Sequence, residues 1–233
     1  GSLYGKMILR GLSVRDPRGE FLYSPEIRVD WRPFAYLDNH VDVRSATAQR
    51  VVLRRTPHFR ATPPSDAPLL PDLNIDVGEL RIDRFIAEPP VSGQRRIMTV
   101  AGRAHIADGR AQVSAKGGTI AVAGKGGGDR FNAVLDAVPD RNRLGLDVDI
   151  DAPKGGLIAG LAGFTQPVTL KLAGKGDWAA WNGKLDANLG SGELARLALT
   201  ARDGTFVIKG PTQIARMFTG PTASLLGPIT NID

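Results

Sequence analysis

Side chains of alternating polarity recur along almost the whole of this 233-residue chain, and no other property limits its fold as severely. In EIRVDWR, Ile27, Val29 and Trp31 alternate with Glu26, Arg28, Asp30 and Arg32. In LGLDVDID, Leu144, Leu146, Val148 and Ile150 alternate with Asp147, Asp149 and Asp151, and VTLKL (Val168, Leu170, Leu172) and KLDANL (Leu185, Leu189) follow suit. Successive side chains of a strand point to opposite faces, so each such run predicts a strand with one apolar and one charged side. Read chain-wide, the apolar side also takes Val41, Val43, Leu73, Ile75, Leu80, Ile82, Val100, Ile106, Val113, Ile120, Val122, Leu197 and Leu199.

Turn signals separate the runs: Asp16-Pro17-Arg18-Gly19, Asp108-Gly109, the cluster from Gly126 to Asp129, Asn182-Gly183 and Asp203-Gly204. Asp-Gly and Asn-Gly between alternating runs suit hairpins, whose central residues need positive φ. The expectation is an antiparallel meander of long strands. Three stretches break it: RPFAYLDN, with Pro33 at a first helical position; PKGGLIAGLAG, after Asp151 as candidate N-cap; and PTQIARMFTG, from Pro211. Each predicts a short helical turn that plugs or caps a strand end. The proline-rich, aperiodic segment from Thr56 to Asp72 is the best internal boundary. The organisation read from these signals is a β section over 1–57, a loop or linker over 58–72, a main β section over 73–210, and a short helical segment with the start of another strand over 211–233.

Composition narrows the chemistry. Aromatic residues make up 6%, with 28 glycines and 16 prolines, the balance of a chain that turns often and packs small aliphatic groups. With no cysteine there is neither disulfide, thiolate nucleophile nor sulfur-bound metal. A net charge of +6 favours anionic surfaces. The local cluster Arg50, Arg54, Arg55 and Arg60 lacks the aromatic companions of a nucleic-acid site and reads as a soluble rim or a headgroup contact. No apolar run approaches the roughly 18 to 20 residues of a membrane span, and the N-terminus has no signal-like segment. The final GPITNID starts another strand, so the chain reads as a piece of something longer.

Catalytic signatures are missing. LKLAGKGDWAAWNGKL resembles part of a phosphate-binding loop, but Lys175 is followed by Gly176 where a magnesium-binding hydroxyl is required, and VAGKGGGD fails at Gly126 in the same way. Both read as turns, with Trp178 and Trp181 sealing the second against the end of the apolar layer. His40, His58 and His105 show no zinc or hydrolase spacing. Asp147, Asp149 and Asp151 stand in line along a strand, whereas calcium needs converging ligands. Nothing selects a close carboxylate pair for glycoside chemistry.

One resemblance covers nearly the whole chain. GKMILRGLSVRDPRGEF followed by SPEIRVDWRPFAYLDNHVDVRSATAQRVVLRRTP, with PDLNIDVGELRIDRF, GRAHIADGRA, DVDIDAPKGGLIAGLAG, GKGDWAAWNGKL and LALTARDGTF, resembles the N-terminal periplasmic part of TamB-type proteins, an AsmA-like group of Gram-negative envelopes. The resemblance implies a mainly β fold, a long curled antiparallel sheet (β-taco or β-groove) with an apolar concave face and a few short helices. It further implies a non-enzyme without cofactor, whose groove conducts phospholipid acyl chains between inner and outer membranes. The parent would be anchored in the inner membrane by an N-terminal helix and meet an outer-membrane barrel of the BamA family, TamA-like, through a C-terminal region. The alternative it implies is a scaffold for inserting or exporting β-barrel proteins. On this reading the apolar-side residues named above are the lipid-contacting candidates. Alternation alone leaves open whether that side lines an open trough or the core of a closed sandwich.

Overall fold

A computed structural model describes residues 5–58, 73–120, 128–138, 141, 143–161, 164–177, 180–202, 205–213 and 230–232. The chain divides into two compact units, Gly1–Gly126 and Gly127–Asp233. As expected, the structure is mainly β, with long strands and a few short helices.

The first unit contains β1 (Lys6–Asp16), β2 (Gly19–Arg32), a 3-10 helix (Pro33–Asp38), β3 (His40–Ala48), β4 (Val51–Leu53), β5 (Asn74–Ala87), α1 (Pro89–Ser92), β6 (Arg96–Ala107) and β7 (Arg110–Thr119). Their order in the sheet is β1-β2-β3-β5-β6-β7, with β4 between β2 and β5. Two expected hairpins form where the turn residues stand. Asp16 pairs with Gly19, and Ala107 pairs with Arg110 across Asp108 (φ 51) and Gly109 (φ 67). The 3-10 helix begins at Pro33 and ends on the left-handed Asn39, but it buries nothing, so it is no plug.

The meander itself is broken once: β5 runs parallel to β3 and β4. A parallel neighbour needs a crossover of a dozen residues or more, and the stretch between Leu53 and Asn74, which carries the proline-rich segment, is long enough to supply it. Two of the register shifts in this unit bear on the faces. The β2–β3 register shifts at Asp30/Trp31, where Arg44 is the extra residue, and the β5–β6 register shifts between Val77 and Leu80. Gly78 lies at the second, where a Cβ would come within 2.8 Å of the Arg44 carbonyl oxygen. The close approach excludes any larger residue.

The second unit contains β8 (Arg130–Val138), β9 (Arg143–Ala152), α2 (Leu157–Leu161), β10 (Val168–Asp177), β11 (Trp181–Leu189), β12 (Gly192–Arg202), β13 (Thr205–Thr212) and β14 (Thr230–Ile232). They pair antiparallel in chain order from β8 to β14. A strand over Thr230–Ile232 fits the expectation for the last residues, whereas Pro211 lies in β13 and begins no helix. The rest of that predicted helix, from 214, lies outside the described residues, as do Arg60, Val122, Gly126, Trp178 and Asp203-Gly204.

Two local expectations are corrected here. Asn182-Gly183 forms no turn: both lie inside β11, with Asn182 opposite Lys175 and Gly183 opposite Gly174. The two glycines make room instead, since a Cβ on either would collide with the Trp181 indole lying across them. Turn propensity loses to packing at this point. The turn that joins β11 to β12 is Gly190 (φ 64) with Ser191. Similarly, Asp151 does not cap α2, because it belongs to β9 and pairs with Arg130. The cap comes from Asp129, only 1% exposed, whose carboxylate accepts the Leu157 and Ile158 amides at 2.7 and 3.0 Å.

Candidate functional site

The registers gather the apolar candidates onto one face within each unit. In the second unit, cross-strand rungs run Ile150–Leu170–Ala187–Ala195, then Val148–Leu172–Leu185–Leu197, then Leu146–Gly174–Gly183–Leu199–Ile208. Directly opposed residues share a face, so these rungs form one aliphatic surface. One end is closed by α2: Ala159 is fully buried with Ala152, Val168 and Leu189, and Ile158 and Phe164 pack against them. The other end is closed by Trp181, buried with Leu199 and Ala201 and flanked by Leu144, Leu172, Leu185, Leu197 and Ile208. Its Nε1 donates to the Leu144 carbonyl at 2.8 Å, which fixes the indole against Gly174 and Gly183.

Between those ends the face is only half-buried. Leu146, Val148, Ile150, Leu170, Leu172, Leu185 and Leu197 all retain intermediate exposure. Among the described residues, no second sheet and no helix longer than six residues is present to cover them. Residual apolar exposure costs about 25 cal/mol per Å².

In the first unit the same logic holds despite the bulges. Rungs run Trp31–Val43–Val77–Ala104–Val113 and Val29–Ala46–Leu80–Gly102–Ala115, with Val41–Ile75–Ile106 and Ile82–Val100 alongside. Ile27 follows Val29 by strand alternation, and Leu73 precedes Ile75 likewise. The bulge at Gly78 is what brings odd-numbered Ile75 and even-numbered Leu80 and Ile82 to one side. These side chains too are half-buried, and Leu80 is 39% exposed. Ile120 does not join them. Its amide donates to the Ile97 carbonyl, and continuation of the β6–β7 register sets it across from Ile97, on the opposite face from Val100. Among the described residues, the buried Trp31 indole N–H has no acceptor on this otherwise aliphatic surface.

The opposite faces carry charge. Arg32–Asp42, Arg44–Asp30, Arg130–Asp151, Lys171–Asp149 and Arg196–Asp186 pair there, each across neighbouring strands. The acidic run of β9 is thus a solvated face, and Lys175 is an exposed strand residue. Near the first hairpin, Arg55 donates to Asp16 through both terminal guanidinium nitrogens, at 2.7 and 2.5 Å. That hydrogen bonding outweighs burial, and with the His58 and Arg18 amides it holds the carboxyl well below the usual carboxylate range.

A cluster with no signature in the sequence lies on the charged face of the first unit. Asp76 sits between His40 Nε2 at 2.7 Å and His105 Nδ1 at 2.5 Å. An ionised carboxylate only accepts, so each ring nitrogen facing it carries a proton. Burial pushes the Asp76 carboxyl up, but the His105 and His40 hydrogen bonds bring it below its ordinary value. Among the described residues, no group of three or more His, Asp or Glu side chains could hold a metal ion. Also among them, no helix is long and apolar enough to cross a membrane. No protein-family model, curated protein or solved structure matches this chain.

Proposed function

We propose that this chain is a periplasmic segment of a TamB-type, AsmA-like envelope protein, and that its aliphatic face holds phospholipid acyl chains in passage between the inner and outer membranes. The observation that carries the reading is the half-buried strip of Leu146, Val148, Ile150, Leu170, Leu172, Leu185 and Leu197. It is closed at its ends by α2 and Trp181, and the described strands of this unit form a single sheet. Acyl chains are apolar, featureless and extended, and an aliphatic strip without polar side chains suits them because it offers contact area and no directional bond.

The test is lipid capture. Native mass spectrometry of the purified chain is expected to show co-purifying phospholipid, and Val148→Arg, in the centre of the strip, is expected to remove it while leaving the β-sheet circular dichroism intact. Lipid retained by a folded Val148→Arg protein would sink the reading.

One observation favours a second reading. β1 is an edge strand among the described residues, and Ile8, Leu9 and Val14 on it are 46%, 40% and 37% exposed. An unpaired apolar edge can accept another strand by augmentation, as a scaffold for barrel assembly requires. Photocrosslinkers at Ile8 would then capture polypeptide, and those at Val148 would capture nothing.

A further inference from the structure

The three most exposed large apolar side chains among the described residues stand together on the 3-10 helix: Phe34 is 67%, Tyr36 62% and Leu37 81% exposed, and the next, Ile8, only 46%. With Trp31 at the end of β2, three aromatic residues fall within six positions of a chain that is 6% aromatic. The helix is held at both ends. Pro33 sets its first turn, the amide of the left-handed Asn39 donates to the Ala35 and Tyr36 carbonyls, and the Asn74 amide donates to the Asn39 carbonyl at 3.0 Å. The apolar tip is therefore preformed, although it buries none of its own residues.

Size and charge say what it meets. Phe34, Tyr36 and Leu37 together present roughly 300–400 Å² of side-chain surface, well short of the ~800 Å² per partner of a stable protein interface. The surface beside them is polar and does not extend the patch: Arg32–Asp42 and Arg44–Asp30 pair there, and Lys6 and Asp38 are exposed. A lipid surface asks for no complementary shape, and aromatic side chains favour its interface. Gly1–Gly126 carries 19 Lys and Arg against 13 Asp and Glu, whereas Gly127–Asp233 carries 11 of each, so the whole excess of +6 belongs to the unit with the tip.

We propose that the 3-10 helix is a membrane-docking tip: Phe34, Tyr36 and Leu37 enter the interfacial region of a bilayer that contains anionic phospholipid, and the surplus cations of the first unit supply the attraction to its surface. Two signals are needed, because three inserted side chains alone bind weakly and reversibly, as a single short acyl anchor does. The proposal concerns the first unit and does not depend on the lipid-conduit reading.

The experiment exploits the absence of cysteine, which makes Leu37→Cys a unique attachment point for an environment-sensitive fluorophore on the full chain. Phosphatidylcholine vesicles with phosphatidylglycerol are expected to shift the label at position 37 to the blue and to expose it to a bilayer-embedded quencher. The same label on Arg18→Cys, in the hairpin at the other end of β2, is expected to stay in water. Phe34→Ser/Tyr36→Ser is expected to weaken vesicle binding by about tenfold or more with the β-sheet circular dichroism unchanged, and vesicles of phosphatidylcholine alone to bind the parent at least about tenfold more weakly. Val148→Arg is expected to leave all of this intact, which separates the tip from the conduit. An unshifted label at position 37 would overturn the proposal, as would undiminished binding by the double-serine chain or equal binding to uncharged vesicles. A blue shift that needs no vesicles and grows with protein concentration would assign the tip to a second copy of the chain instead, and would overturn it too.

Discussion

Asp129 reaches back to two amides at the start of α2, and its removal tests whether one carboxylate holds the helix over the end of the strip. Asp129→Ala leaves the Leu157 and Ile158 N–H groups without that acceptor, and is expected to lower unfolding stability in urea by about 1–2 kcal/mol. An unchanged midpoint would refute the cap. Trp31→Phe should do the reverse of a normal core truncation: deleting a buried donor that has no acceptor leaves thermal stability unchanged or raised, whereas a clear loss would mean that the indole has a partner. Asp76 supplies a pH dependence. Because its folded pKa is depressed, its contribution is fully present above the ordinary value near 3.9 and is lost as pH falls through the lower folded value. Asp76→Asn should therefore be less stable than the parent at neutral pH, and the gap should close on acidification below about pH 4. A gap independent of pH would exclude the carboxylate as its source. Alternation put Trp31 on the apolar side, but neither the Asp129 cap nor the Asp76 cluster had a signature in the sequence. His40, Asp76 and His105 meet only because β3 and β5 run parallel and β6 returns antiparallel, a register that sequence spacing does not encode.

At the scale of elements, alternation located the strands well, since half-buried sheets impose period two directly on the chain. It was silent about strand direction, so the parallel β3–β5 pair was missed even though the long proline-rich connection was in view. The misread Asn182-Gly183 shows a second limit: a turn-forming dipeptide was recruited as a gap for the Trp181 ring. That account predicts a specific coupling. Gly183→Ala should destabilise by roughly 1–3 kcal/mol through overpacking, and the same change in a Trp181→Leu background should cost little. Equal costs in both backgrounds would show that the strain does not come from the indole.

For the molecule as a whole, the faces were readable and their surroundings were not. Val148 and Asp147 are sequence neighbours on opposite sides of one strand, and nothing in the alternation says which side a partner occupies. The structure adds that the aliphatic strip is half-buried, while the other face carries cross-strand ion pairs. The most direct test of the conduit exploits that adjacency. A photoreactive residue is placed at Val148 or at Asp147 in the purified chain, and captured phospholipid is measured after illumination in the presence of phospholipid vesicles. Phospholipid captured at Val148 and absent at Asp147 is the predicted result, and equal or no capture at the two positions would contradict it.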